Sequence, residues 1–393
     1  MAKESVIVAA KRTPIGSFQG QLSKFSSPDL ASTLINGIIK ELGLKSDLID
    51  EVILGNVLAA GLGQAPARQA AILAGCDKSI EALTINKMCG SGLKAVMLAD
   101  QAIRCGDANT ILSGGMESMS NSPYLFTKAR GGLKLGHGKI IDSVIHDGLW
   151  DAYNNMHMGN CAELLASERK YSRSEQDTYA TRSYEKSLKA QSEGLFESEI
   201  IPMIKKDKKN NIIEIVEDEE PKRVVFDKIN KLKPVFENKG TITAANASTL
   251  NDGASVLLVM SQARAKELCL SPLAKIISHA SYAHDPKWFT TAPSKVIGKV
   301  LKKSSMDKKD IGLWEINEAF SVVPMATIDD FNLDVEKVNI YGGAVALGHP
   351  IGASGARILT TLLNGMNKQN IDVGLASLCI GGGEASAIIV EKI

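Results

Sequence analysis

The segment Asn86-Lys87-Met88-Cys89-Gly90-Ser91-Gly92-Leu93-Lys94 puts a thiol between a strand-like run and an amphipathic helix pattern. A cysteine at a helix N-terminus meets free backbone N–H groups and the positive end of the helix dipole. Both favour a thiolate and lower its pKa. Small neighbours let a substrate approach the backbone, and the same N–H groups could stabilise an oxyanion. Strand, nucleophile and helix together suit acyl transfer through a covalent intermediate. A buried structural cysteine at a tight turn is the alternative.

Gly342 to Arg357 is emptied of bulk by glycine and alanine around one histidine, His349. His349 is a natural base for a cysteine nucleophile. No clean G-x-G-x-x-G follows a strand there, so a dinucleotide fingerprint is unsupported. A second thiol, Cys379, leaves a strand into Gly381-Gly382-Gly383, whose N–H groups could form a concave donor array. A hydrolase has little use for a second thiol; a reaction needing another acid or base at carbon does. A structural turn is the alternative. In Trp314-Glu315-Ile316-Asn317-Glu318-Ala319-Phe320, Asn317 could hold a water or polarise a carbonyl. Glu318 there reads as a carboxylate at a helix start, interacting only with the dipole. No H-E-x-x-H and no phosphate-loop motif occur, and His137, His146, His279 and His284 read as surface or structural residues.

The elements that must hold these groups alternate. Strand patterns at 6–9, 51–57, 82–86 and 109–114 enclose helix patterns at 31–42, 65–73 and 93–104. The C-terminal part repeats this style, with strands at 310–315, 339–342, 375–378 and 387–390 and helices at 295–301, 322–330 and 355–366. Such alternation predicts crossover units and a largely parallel sheet. Two echoes, Ile111 to Ser118 against Leu378 to Ser386 and the Cys89 turn against the His349 turn, predict two similar α/β halves. Between about 118 and 250 the pattern breaks into glycine-rich turns at 130–138, a polar helix at 174–193 and a charged hairpin turn at 205–211. This excursion could form a cap.

Composition narrows the class. The chain has 393 residues, with 45 Lys plus Arg against 44 Asp plus Glu, which gives no basic surplus for nucleic acid. Its apolar runs are too short to span a membrane. Six scattered cysteines without a C-x-x-C pair suggest a reducing compartment, most of them buried as small hydrophobes. Neither terminus carries a recognisable targeting signal, so a cytoplasmic protein is expected, or a mitochondrial one if a leader has been removed.

Together these segments closely resemble the thiolase family. Lys11-Arg12-Thr13-Pro14-Ile15-Gly16, Cys89-Gly90-Ser91-Gly92, Gly114 to Ser120, Asn317-Glu318-Ala319-Phe320, Gly348-His349-Pro350-Ile351-Gly352 and Cys379 to Gly383 match its motifs in order. The resemblance implies an α/β thiolase fold of two βαβαβαββ halves, residues 1–268 and 269–393, with a loop domain at about 118–250 in the first. It also implies a homodimer or homotetramer. Asn155-Met156-His157-Met158-Gly159, Glu217 to Val224 and Thr243 to Gly253 look most like short-chain, acetoacetyl-CoA-forming members. A degradative thiolase of broader chain length is the nearest alternative.

By that resemblance Cys89 takes an acyl group from acyl-CoA with His349 as base. Cys379 removes the α-proton of a second acetyl-CoA. His349 and a water on Asn317 hold the enolate oxygen, and the N–H groups of Cys89 and Gly381 form a second oxyanion hole. No metal or organic cofactor is required for the chemistry, and CoA, acetyl-CoA and acetoacetyl-CoA are the ligands. His157 and Met158 line the acyl pocket, with Ala319 and Phe320 from their motif; Arg223, Val224 and Lys228 border the nucleotide, Ser248 the pantetheine and Tyr184 the same site. A potassium ion would sit on Tyr184, Ala244, Ala245, Ala247 and Val345. The sequence departs from the family at Glu384-Ala385-Ser386, at Asn160-Cys161 and at Val225, an acidic position in mitochondrial-type relatives.

Overall fold

The computed structural model describes residues 4–207 and 209–393. Its first half runs β1 (Ser5–Arg12), α1 (Ser27–Leu42), β2 (Glu51–Gly55), α2 (Pro66–Leu73), β3 (Glu81–Ile85), α3 (Ser91–Cys105) and β4 (Thr110–Ser118). The chain then leaves the sheet for an excursion carrying α4 (Met158–Arg169) and α5 (Arg173–Ser192), and returns as β5 (Asn251–Ser261). The second half is β6 (Ala274–Ala283), α6 (Ala292–Ser304), β7 (Leu313–Ile316), α7 (Val322–Phe331), α8 (Ile351–Gln369), β8 (Val373–Ile380) and β9 (Glu384–Lys392).

Strand order is β7-β8-β9-β6-β1-β5-β4-β2-β3. Each half repeats one pattern outward from the β1–β6 seam, which is the doubled fold expected. The third strand of the second half is reduced to a single parallel bridge, Trp314 to Val338. The expected strand at 339–342 is therefore absent: Asn339 has a positive φ of 47° and Gly342 one of 75°, which end the extended run. The sheet is also mixed rather than largely parallel. Among the strands of the described residues, β2–β3, β2–β4 and β7–β8 pair in parallel, and the other neighbours in the order are antiparallel. Each half ends in two successive strands that pair antiparallel, β4 with β5 and β8 with β9, the latter through a glycine turn. The charged turn near 205–211 does join a hairpin, Met203–Lys206 with Ile212–Ile215, although Lys208 lies outside the described residues.

Local signals explain the helix ends. Ser26 caps α1 in a reciprocal box with Asp29, and Gly43 closes it at φ 59°. Alternation along β5 sends Val256, Leu258 and Met260 to the face covered by α1 and α2. Leu257 and Val259 go to the face where α3 and α8 pack between the halves. Both faces are buried, so the strand reads as a continuous apolar run. Of the cysteines, Cys76, Cys161 and Cys379 are buried, but Cys105 and Cys269 are exposed, fewer buried than expected. Among the described residues no helix is long and apolar enough to cross a membrane.

Candidate active site

Helices α3 and α8 meet at their N-terminal turns. A Cβ on Gly92 would come within 2.8 Å of the Ala356 nitrogen, and one on Gly355 within 2.5 Å of the Leu93 nitrogen. Only glycine permits this approach, and it sets side by side the two turns that carry Cys89 and His349. The Cys89 turn is pinned by Ser91, whose hydroxyl accepts from Lys87 N at 2.8 Å and donates to the Met88 carbonyl at 2.6 Å. Met88 takes a positive φ of 48° to make the turn.

Cys89 precedes the helix cap Gly90 rather than standing inside α3. Burial pushes its thiol up to about 11, against the opposing pull of a hydrogen bond from Gly381 N–H. This corrects the expectation of a lowered pKa. Desolvation of the charged form outweighs the helix N-terminus, so the resting group is a thiol that needs a base. His349, on the same cavity, has the neutral ring a base must start from: burial and the nearby Arg357 push its imidazole down to about 3. Its Nδ1 lies 2.6 Å from Ser354 Oγ, while that hydroxyl donates to the Pro350 carbonyl at 2.9 Å. The hydroxyl proton being engaged, Ser354 accepts from Nδ1–H. Nε2, which has no protein partner among the described residues, then carries the free lone pair.

Cys379 ends β8 and is fully buried. Burial, with Cys89 next to it, pushes its thiol well above the ordinary value. Gly382 and Gly383, at φ 91° and 81°, turn the chain back into β9. A side chain at Gly383 would collide with the His284 carbonyl. The tri-glycine is thus a tight turn that aims Gly381 N–H at the Cys89 sulfur.

Asn317 is buried at the end of β7 with Nδ2 unpartnered. Arg357 Nη2 approaches its Oδ1 at 3.5 Å. An orphaned buried donor suits an ordered water or ligand oxygen. Glu318 differs from expectation. It lies ahead of α7 and accepts from Tyr179 at 3.0 Å, Ser183 at 2.7 Å, Asn339 at 2.8 Å and Val345 N at 3.1 Å. It knits α5 to the 339–345 loop instead of serving a helix dipole.

A cavity of about 820 Å³ opens onto Cys89, His349 and Gly381. His157, Met158, Tyr184, Arg223, Val224, Lys228, Ala244, Ala245, Ala247, Ser248, Ala319 and Phe320 all line it. Cys379, Asn317 and Val345 do not and stand behind the wall. Val345 packs with Tyr184 and Val224 in one apolar cluster. His157 Nδ1 accepts from Gly159 N at 3.0 Å, which leaves Nε2–H as a donor. Burial holds its imidazole below the usual range, hence neutral.

The sequence reading missed Phe236, whose ring stacks on His157 with centroids 4.7 Å apart. It also missed Leu149 and Ile145 on the cavity wall. Phe236 follows a charged stretch without periodicity, so nothing local marks it. Phe289, in the loop at 285–290, reaches the wall as well.

Known proteins resemble the chain over its whole length. The thiolase N-terminal domain family matches residues 5–263 and the thiolase C-terminal domain family residues 270–392. An acetyl-CoA acetyltransferase of Yarrowia lipolytica is 49% identical over 98% of this chain and 96% of its own. The crystal structure of the Bacillus anthracis acetyl-CoA acetyltransferase superposes with a TM-score of 0.97 at 38% identity, covering 100% of this chain and 99% of that one. A thiolase from Ascaris suum in complex with coenzyme A gives 0.94 at 42% identity, over 100% of both chains. With Cys89, a neutral His349 and the Gly381 N–H on one cavity and Cys379 next to Cys89, the chain belongs to the thiolase family of acyltransferases.

Proposed function

We propose that this enzyme is an acetyl-CoA C-acetyltransferase. It joins two acetyl-CoA into acetoacetyl-CoA and CoA, reversibly, through an acetyl-cysteine. The observation that carries this reading is that the Cys89 thiol and the His349 ring, whose Nε2 has no hydrogen-bond partner among the described residues, share the wall of one cavity with the Gly381 N–H. The likeness to acetyl-CoA acetyltransferases and to a thiolase that binds coenzyme A supports the substrate.

Cys89 attacks the thioester of the first acetyl-CoA, His349 takes the thiol proton, and that proton leaves with the CoA thiol. The acyl oxygen is held by the N–H groups of Cys89 and Gly381. His349, neutral again, next takes the Cys379 proton, and the thiolate so formed removes an α-proton from the second acetyl-CoA. His349 and a water on Asn317 hold the resulting enolate oxygen, and its carbon attacks the acetyl-cysteine. The Cys89 thiolate leaves and regains a proton. Cys379 sits beside Cys89, which supports its role as the base for the same C–C bond.

Arg223 and Lys228 at the cavity border offer cations to the CoA phosphates, with Val224, Tyr184 and Ser248 along the pantetheine path. His157 Nε2–H points the thioester. Phe236, Phe289 and Phe320 pack edge-on around Met158, Ala319 and the pocket, which favours a short acyl group. The residues expected for potassium fit a hard cation. Tyr184, Ala244, Ala245 and Ala247 share one wall of the cavity, with Val345 packed against Tyr184, which supports a hard cation held on their oxygens. Equal rates in sodium and potassium buffers over a range of CoA would remove that site from the account.

The halves we assign as 1–268 and 269–393, with the loop domain at 118–250. The unpaired edge of β3, with Leu83 exposed, suits pairing with a second copy in a homodimer or homotetramer. CoA-dependent cleavage of acetoacetyl-CoA, measured beside a long-chain 3-ketoacyl-CoA, tests the substrate. Turnover of the four-carbon substrate alone supports the proposal; comparable cleavage of the long chain moves the function to degradation.

A further inference from the structure

We infer that Glu117 and Asn251, two side chains of the first half, are positioning residues that clamp the His349 loop of the second half from both ends. The inference rests on the roles of Cys89 and His349 proposed above. Asn251 Oδ1, at the start of β5, accepts the His349 backbone N–H at 2.8 Å. Its own amide donates to the Gly16 carbonyl at 3.0 Å. Glu117 Oε2, near the end of β4, accepts the Gly352 N–H at 2.9 Å. The same carboxylate accepts from Asn56 Nδ2 at 2.8 Å, Val57 N at 3.0 Å and Leu58 N at 3.1 Å.

The space around these bonds fits a clamp. A Cβ on Gly352 would lie 2.7 Å from Glu117 Oε2, and one on Gly348 would collide with the Asn251 amide. Both glycines therefore let the loop close onto its anchors. Both anchors are fully buried. The segment tied down by Glu117 also forms the wall next to the nucleophile, since Val57, Leu58 and Ile351 pack with Cys89. One carboxylate thereby fixes the wall beside Cys89 and the start of α8 together. The charged neighbour facing Glu117 is Asp252, and the titratable one is Cys89.

Glu117→Gln keeps the shape but puts an amide donor where two N–H groups need an acceptor. In acetoacetyl-CoA thiolysis by the whole enzyme, kcat falls roughly ten- to hundredfold with KM within about threefold. Iodoacetamide alkylation, followed on the Cys89 peptide, shifts its midpoint to lower pH, because a negative charge near the thiol is gone. Asn251→Ala lowers kcat in the same way, and the double variant loses less than the product of the singles because both seat one loop. Unchanged kcat per acetylated site and an unchanged midpoint in Glu117→Gln, with only a lower Tm, overturn the proposal. If Glu117→Gln does not fold, Asn251→Ala decides by its kcat and KM; if neither folds, the contacts are structural and the clamp is refuted. Acetylation of wild-type Cys89 is measured in parallel. Its absence overturns the underlying mechanism, whereas its presence with unaffected variants overturns the clamp alone.

Discussion

Ser354 Oγ lies 2.6 Å from Nδ1 of His349 and donates its own proton to the Pro350 carbonyl at 2.9 Å. One turn of α8 thus selects the imidazole tautomer with a free Nε2. Ser354→Ala releases that choice. We expect kcat to fall about tenfold, since roughly 1.4 kcal/mol of orientation corresponds to one decade of rate. KM stays close to wild type. Steady-state thiolysis of acetoacetyl-CoA checks this; an unchanged kcat would show that packing alone sets the ring.

Cys379 and Cys89 divide the chemistry. Cys379→Ala leaves the first half-reaction intact, so mixing with acetyl-CoA releases one CoA per site in a burst. Condensation falls by roughly a thousandfold or more, as for loss of a general acid–base group. A steady CoA release at the wild-type rate would assign the second proton transfer elsewhere.

His349 stays neutral to low pH because burial and Arg357 hold it down to about 3, while Cys89 stays protonated up to about 11. Burial pushes Glu117 up to about 7, so the test uses Glu117→Gln, where first-half acetylation should show no titration step near the ordinary histidine range between pH 5 and pH 8. A step near 6.5 in that variant, read by pre-steady-state acetylation, contradicts the buried neutral imidazole.

Asp100 joins the halves away from the site. Its carboxylate accepts from Ser5 of β1, from Arg104 at 2.8 Å and from His279 of β6 at 3.0 Å. Burial opposes its charge, but His279, Arg104 and Ser5 outweigh that and hold the carboxyl below its ordinary value. Its folded pKa is depressed, so its contribution to stability is present above the unfolded value and is lost as pH falls through the folded one. Asp100→Asn should cost about 2–3 kcal/mol near pH 7, with the gap from wild type narrowing below about pH 4. Urea unfolding at several pH values checks both signs.

Phe236 closes the pocket over His157. Phe236→Ala should raise the long-chain to four-carbon ratio of kcat/KM by about tenfold, the discrimination a few methylenes give in an apolar pocket. An unchanged ratio would place the chain-length limit elsewhere.

The sequence made the chemistry legible where a reactive residue stands among glycines. Cys89, His349 and Cys379 each sit on a turn that excludes bulk, and a missing side chain leaves a visible pattern. It also displayed the doubled fold through alternating strands and helices. It concealed the antiparallel returns, because pairing direction depends on how a strand re-enters the sheet after the excursion. The Cys89 thiol was misread because helix polarity is local and visible, whereas desolvation comes from residues far along the chain. Glu117, Asn251 and Phe236 act across the seam or over the pocket, and no spacing within their own segments marks them.

The central claim is that Cys89 carries the acyl group. It is tested by brief exposure to acetyl-CoA, quenching and peptide mapping, with Cys89→Ala alongside. We predict acetyl on Cys89 alone, its return to added CoA as acetyl-CoA, and no turnover in the variant. Acetyl on Cys379 with Cys89 free, or turnover retained in Cys89→Ala, would contradict the account.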